Sequence, residues 1–187
     1  DDNMYLADNA NYVQKRTSSG EVLLTLGERG VDKPRHTGEP FNSPTHVAVH
    51  PGNGDWFVSD GYRNSSVHHF DPSGKHIKSW GESGSGPGQF ALPHNICMVG
   101  DDRVLVADRE NYRLQMFTLD GEFLLEKHVH KPQALFAGTG DDTNIYVAEG
   151  RPPFVMEGVA RLGKRVAVFD RDLNELLSIG NEMSGQA

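Results

Sequence analysis

The sequence predicts an all-β protein, a β-propeller segment spanning residues 1–187 as one domain of about four consecutive four-stranded blades. Three observations predict it. The chain holds 21 Gly and 10 Pro with 36% hydrophobic residues, a composition that suits many short strands joined by turns. An apolar run ending on an acidic residue recurs four times: MYLAD (4–8), DWFVSD (55–60), RVLVAD (103–108) and NIYVAE (144–149). Each is followed by two further alternating runs, so the unit is a meander repeated every 40 to 50 residues or so, roughly the period of propeller blades. A tandem β-sandwich, the rival arrangement, does not repeat strand by strand.

Naming the strands of a blade A to D, the acidic run is B. Strand C follows as YVQKRT, SVHHFD, RLQMFT and RVAVFD. Strand D comes after a turn at Ser19-Gly20, at Asp71-Pro72-Ser73-Gly74, at Asp120-Gly121 and at Asp172-Leu173-Asn174, and reads VLLTLG, HIKSWG, FLLEKHV and ELLSIG. Three copies also carry a strand A opened by proline: PTHVAVH from Pro44, PHNICMV from Pro93 and PQALFAG from Pro132. The blades therefore fall at residues 1–30, incomplete for want of strand A, then 41–81, 90–130 and 131–180. Proline biases the residue before it toward extended geometry, so Leu92 is expected to lead extended into its strand, with His94 at the strand's start. Nearly four blades leave open edges, and the chain is expected to belong to a longer ring or to pair with a second copy.

Charge and composition exclude several functions. A formal net charge of −8 speaks against a phosphate-binding surface, so no nucleic-acid partner is expected. No apolar run is long enough to span a membrane, and DDNMYLAD at the start carries no basic, apolar leader. The single cysteine, Cys97, lies in an apolar strand and is expected to be buried and inert. Neither a disulfide framework nor a targeting segment fixes the compartment.

The third repeat, with DRENYRLQMF at residues 108–117, resembles the NHL repeat, a propeller blade. SDGY (59–62), PGQFALPH (87–94) and VADREN (106–111) narrow the match: in order and in blade they are similar to peptidyl-α-hydroxyglycine α-amidating lyase, most clearly over residues 41–118. The resemblance implies a six-bladed ring whose central channel holds zinc on three histidines from separate Pro-His motifs. It implies an enzyme that cleaves a peptidyl-α-hydroxyglycine to a peptide amide and glyoxylate. By that resemblance His94 matches a zinc ligand, Tyr62 the catalytic tyrosine and Arg109 an arginine beside the metal. Thr45 and Gln133 stand after Pro44 and Pro132 where a second and third histidine would be sought. The family also binds structural calcium, for which no ligands are recognisable here.

The residues support that chemistry by themselves. The start of strand A lies beside the end of strand B, so His94, Arg109 and Tyr62 are expected on one rim of the channel. A neutral imidazole binds zinc, which acts as a Lewis acid on a bound oxygen. A phenol acts as a base near neutral pH only where a cation stabilises phenolate, and an arginine fork suits the carboxylate of a small-molecule or peptide substrate. Asp60 and Asp108 are expected to satisfy turn amides rather than to catalyse. His68 and His69 alternate across a strand and cannot share an ion. Two long connections, 28–43 and 150–164, emerge on the His94 face; they suit either covering a substrate, through Phe154 and Met156 of the second, or packing on their own blades. The leading expectation is a zinc lyase. The alternative is a non-catalytic NHL propeller serving as a protein-interaction module, and a calcium-centred lactone hydrolase would need channel carboxylates that the strand A starts lack.

Overall fold

The computed structural model describes residues 2–150 and 164–180. Its strands are those the repeat predicts. The first sheet is β1 (Met4–Asp8), β2 (Tyr12–Arg16) and β3 (Val22–Gly27) in that spatial order. Three four-stranded antiparallel meanders follow: β4 (Pro44–Val49) to β7 (His76–Trp80) through β5 (Trp56–Asp60) and β6 (Ser66–Phe70); β10 (Pro93–Val99) to β13 (Phe123–His128) through β11 (Arg103–Asp108) and β12 (Arg113–Thr118); and β14 (Pro132–Ala137) to β17 (Glu175–Gly180) through β15 (Ile145–Glu149) and β16 (Arg165–Phe169). The short parallel pair β8 (Glu82–Ser83) and β9 (Gln89–Phe90) bridges two blades; nothing in the strand periodicity announced it. Among the described residues the only helical turn is 3-10, Arg109–Asn111.

Alternation along the strands sends each blade's apolar residues to its neighbours, and the core is a series of inter-blade layers. Val13, Trp56 and Phe70 pack between the first and second sheets; Phe57, Phe90, Ile96 and Phe117 between the second and third; Leu105, Leu114, Ile145 and Phe169 between the third and fourth. On the far face of the fourth sheet Phe136, Leu177 and Ile179 are exposed, while Val168 on the same face is buried. The ends of β4, β10 and β14 distant from His94 line a groove of about 500 Å³. Cys97 borders it, and burial of its sulfur pushes the thiol up to about 12, which keeps it inert near neutral pH.

The C–D turns work as the sequence suggests. At Asp71-Pro72-Ser73-Gly74 the Asp71 carboxylate accepts the Ser73 and Lys75 amides, and Gly74 takes φ +87°. In the fourth blade Leu173 stands where the other blades have glycine and takes φ +60°. A left-handed leucine costs about 1–2 kcal/mol. Its side chain is almost wholly buried in the third core layer, which offsets that with about 1.5–3 kcal/mol of apolar burial.

Strand A departs from expectation at its start. Leu92 is not extended but left-handed, at φ +67°, and Ser43 and Lys131, the residues before Pro44 and Pro132, also have positive φ. Hydrogen bonds impose this bend. The Arg109 amide donates to the Leu92 carbonyl, as Tyr62 does to Ser43 and Gly150 to Lys131. The acid ending strand B takes the amide two residues before each proline: Asp60 from Asn42, Asp108 from Ala91, Glu149 from His130. Asp60 and Asp108 thus bond backbone amides, as expected, but those of the segment before each proline and not of their own turns; with Glu149 they over-determine a conformation that the prolines alone would not select.

Candidate functional site

The bend sets up the rim. Pairing of β10 with β11 runs Pro93 to Asp108 and then Asn95 to Ala107, so His94 is the extra residue of a β-bulge, turned out of the ladder. Thr45 and Gln133 occupy the same bulge in their blades. All three sit at equivalent heights on consecutive inner strands, and only the middle one carries an imidazole.

His94 is held from both sides. Its Nδ1 lies 2.7 Å from the Gln133 carbonyl oxygen, which can only accept, so the proton is on Nδ1 and the Nε2 lone pair is free. The Tyr62 hydroxyl donates to that Nε2 across 3.1 Å, with the two rings edge to face at 5.7 Å. Arg109 lies with its guanidinium carbon 5.7 Å from the Tyr62 ring centroid. The structure therefore brings Tyr62, His94 and Arg109 together. Arg109 also forms an ion pair with Glu110 (2.8 Å), and Glu110 in turn binds Lys131 of the next blade at 3.1 Å. Sequence reasoning missed Lys131; the signal was its place just before Pro132, matching Leu92 before the histidine. Glu110 engages Arg109 at Nε, which leaves the two terminal nitrogens as the fork's working end.

Tyr62 reaches His94 because Gly61 precedes it. A Cβ at position 61 would stand 2.1 Å from the Pro93 carbonyl oxygen, a backbone atom in the next blade. Gly61→Ala is therefore expected to push the two blades apart, lowering stability by about 1–3 kcal/mol. It should also break the Tyr62–His94 hydrogen bond. A shift in the urea midpoint checks the first effect; an unchanged midpoint would show that the blades do not meet this closely.

Burial depresses the pKa of His94 below its ordinary 6.5; the Gln133 carbonyl opposes this and the Arg109 charge adds to it. The native state thus takes up a proton less readily than the unfolded chain. The stability contributed by neutral His94 is complete above 6.5 and declines as pH falls toward the lowered value. His94 is expected to titrate below 6.5 by NMR, and its Nε2 to stay available as an acceptor or ligand through neutral pH.

The donor set fits one corner of a zinc site. A ligating histidine typically fixes its other nitrogen on a carbonyl, as His94 does on Gln133. Catalytic zinc takes three protein ligands, however, and among the described residues no group of three or more His, Cys, Asp or Glu side chains is placed to hold a metal. His68 is buried between Asp60 and Ser79, and His69 pairs with Asp55 on the opposite face. Of the two long connections, 28–43 packs against the second blade, and residues 151–163 of the other lie outside the described residues.

Inner strands that expose bulged side chains at one end of a channel, with four blade sheets around them, define a β-propeller with a rim site. The DUF5128 family, described as a 6-bladed beta-propeller, matches residues 40–150, and the chain belongs to it. It is 45% identical over 139 residues to peptidylglycine alpha-amidating monooxygenase of Rattus norvegicus, covering 71% of this chain and 14% of that protein. It is 36% identical over 142 residues to peptidyl-alpha-hydroxyglycine alpha-amidating lyase 1 of Drosophila melanogaster, covering 68% and 26%. It is 33% identical over 115 residues to human NHL repeat-containing protein 3, covering 60% and 33%. The chain thus spans a third or less of the length of these relatives. Among solved structures, the RRP9 WD40 repeats superpose with a TM-score of 0.65 at 14% identity over 94% of this chain and 47% of that one, a likeness of fold alone. Among the described residues no helix is long and apolar enough to cross a membrane.

Proposed function

We propose that this chain forms part of a lyase that cleaves a peptidyl-α-hydroxyglycine, or a related carbinolamide, to a peptide amide and glyoxylate. The observation that carries the reading is the Tyr62 hydroxyl 3.1 Å from His94 Nε2, with Arg109 over the same phenol ring. Relatives at 45% and 36% identity are named as amidating monooxygenase and amidating lyase. In the reaction the substrate hydroxyl loses its proton, the carbon–nitrogen bond breaks, the carbon becomes the aldehyde of glyoxylate and the nitrogen takes up a proton as the amide. In this reading Tyr62 removes the hydroxyl proton and returns it to nitrogen, with the Arg109 guanidinium over its ring. The terminal nitrogens of Arg109 suit the substrate carboxylate. A zinc ion, where bound, would supply Lewis acidity toward the substrate oxygen; His94 would be one ligand through Nε2, releasing the Tyr62 hydroxyl from that lone pair, and two more would have to come from outside the described residues. For calcium, where bound, no group of three or more His, Cys, Asp or Glu side chains is placed to hold it among the described residues.

The test is glyoxylate release from a peptide ending in α-hydroxyglycine by the full-length protein, expected in equal amount to the amide formed. Absence of glyoxylate from zinc-replete protein would end the reading. The second reading, a non-catalytic NHL module that binds a protein partner, is favoured by one observation: two of the three equivalent bulges carry Thr45 and Gln133 instead of histidine. Intact peptide together with partner binding at the rim would decide for it.

A further inference from the structure

We infer that Asp60, His68 and Ser79 form a buried latch that docks the strap of residues 33–43 onto the second blade and, through Ser43, sets the position of Tyr62. Counting protons carries the argument. The Ser79 hydroxyl has one proton and three partners: the Gly38 carbonyl at 2.8 Å, His68 Nδ1 at 2.6 Å and His76 Nε2 at 2.8 Å. A carbonyl only accepts, so the hydroxyl proton goes to Gly38 and both imidazoles must donate to Ser79. On its other side His68 Nε2 lies 3.1 Å from Asp60 Oδ2. That same oxygen accepts the Asn42 amide at 2.8 Å and the Asn64 side-chain amide at 2.9 Å, whereas Oδ1 has no partner. An oxygen that already accepts the Asn42 and Asn64 N–H groups fits an ionised carboxylate, which can only accept, so Nε2 donates to it and also carries a proton. His68 is therefore an imidazolium, fully buried beside an equally buried carboxylate.

The groups around His68 fit that assignment. Asp60 faces it from β5 and His76 from β7, the ring centroids of the two histidines 6.1 Å apart, while the strap presents the Phe41 ring at 5.6 Å and the uncharged Gly38 carbonyl. His69 points to the opposite face, at Asp55. The His68 charge helps to hold the His76 pKa down, after the larger effect of burial.

The latch grips the strap at two points, Gly38 through Ser79 and Asn42 through Asp60. The next residue, Ser43, receives the Tyr62 amide on its carbonyl at 3.3 Å and Arg63 Nε on its hydroxyl at 2.8 Å. His68 and Ser79 are thus positioning residues for Tyr62, touching neither substrate nor metal. This would also give the 28–43 connection a use distinct from covering substrate.

The test has two arms, both on the chain itself. In the first, the imidazole nitrogens of wild-type His68 are read by ¹⁵N NMR; both are expected in the protonated range, and one bare nitrogen would overturn the charge assignment. In the second, amide exchange is compared for wild type, Ser79→Ala and His76→Ala. Loss of one hydrogen bond to a partly buried carbonyl should raise exchange at Asn42 and Tyr62 about tenfold in Ser79→Ala. The strands β10 to β13 should be unchanged, and His76→Ala, which leaves the Ser79–Gly38 bond, should match wild type. Uniform acceleration across all blades, or none at Tyr62, would overturn the latch. A slower turnover in Ser79→Ala rests on the lyase reading, but the exchange and nitrogen measurements do not, so the two ideas fail separately.

Discussion

Replacing Arg113 with alanine is expected to remove about 3–5 kcal/mol of stability, a large share of the 5–15 kcal/mol that holds a typical domain folded. The side chain is almost fully buried, and every nitrogen of its guanidinium is engaged. Nε donates to Asp108 at 2.8 Å; one terminal nitrogen donates to Glu126 and to the Ser85 carbonyl, both at 2.7 Å; the other to the carbonyls of Gly86 and Gln89, at 2.9 and 2.8 Å. Residues 84–90 have little regular structure of their own, and Arg113 is the post around which they wrap on the way to Pro93 and His94. Truncation strands the wholly buried Asp108, whose pKa is raised by burial even with the bonds from Asn111 and Arg113 opposing the shift. A lysine cannot replace the planar fork and should recover little. Urea denaturation measures the loss, and the double change Arg113→Met with Asp108→Asn should recover part of it, since the uncompensated charge is the larger cost. A single-variant loss under about 1 kcal/mol would mean that water readily replaces the guanidinium.

The strands, their grouping into blades and the meeting of Tyr62, His94 and Arg109 on one rim were legible because they follow from periodicity and strand order. MYLAD, DWFVSD, RVLVAD and NIYVAE mark strand B without any knowledge of contacts, and the start of A must then lie beside the end of B. What was not legible depends on hydrogen bonds between segments far apart in sequence. Leu92, Ser43 and Lys131 take positive φ because a carboxylate and an amide from the end of strand B hold their neighbours there, and a propensity rule applied to the X-Pro pair sees neither. The His94 bulge comes from the same clamp. His68 was read correctly as facing away from His69, but its partner Ser79 lies on another strand and Gly38 in a connection without regular structure. Lys131 was hidden for a similar reason, since its link to Glu110 crosses between blades.

Changing Tyr62 to phenylalanine in the full-length protein is expected to lower kcat for glyoxylate release by about two to four orders of magnitude, the range for losing a general base. The ring is half-exposed at 48% and keeps its edge-to-face contact with His94 and its place under Arg109 without the hydroxyl, so the fold should hardly change. Only the hydroxyl's hydrogen bond to His94 Nε2 is lost, and the lone pair it occupied can be satisfied by water at the rim. The loss should therefore fall on kcat with KM little altered, because Arg109, the group suited to the substrate carboxylate, is untouched. A rise in KM at constant kcat would assign Tyr62 to binding instead of proton transfer. Wild-type glyoxylate release from the phenylalanine variant would remove Tyr62 from the mechanism altogether and leave its contact with His94 as packing at the channel mouth.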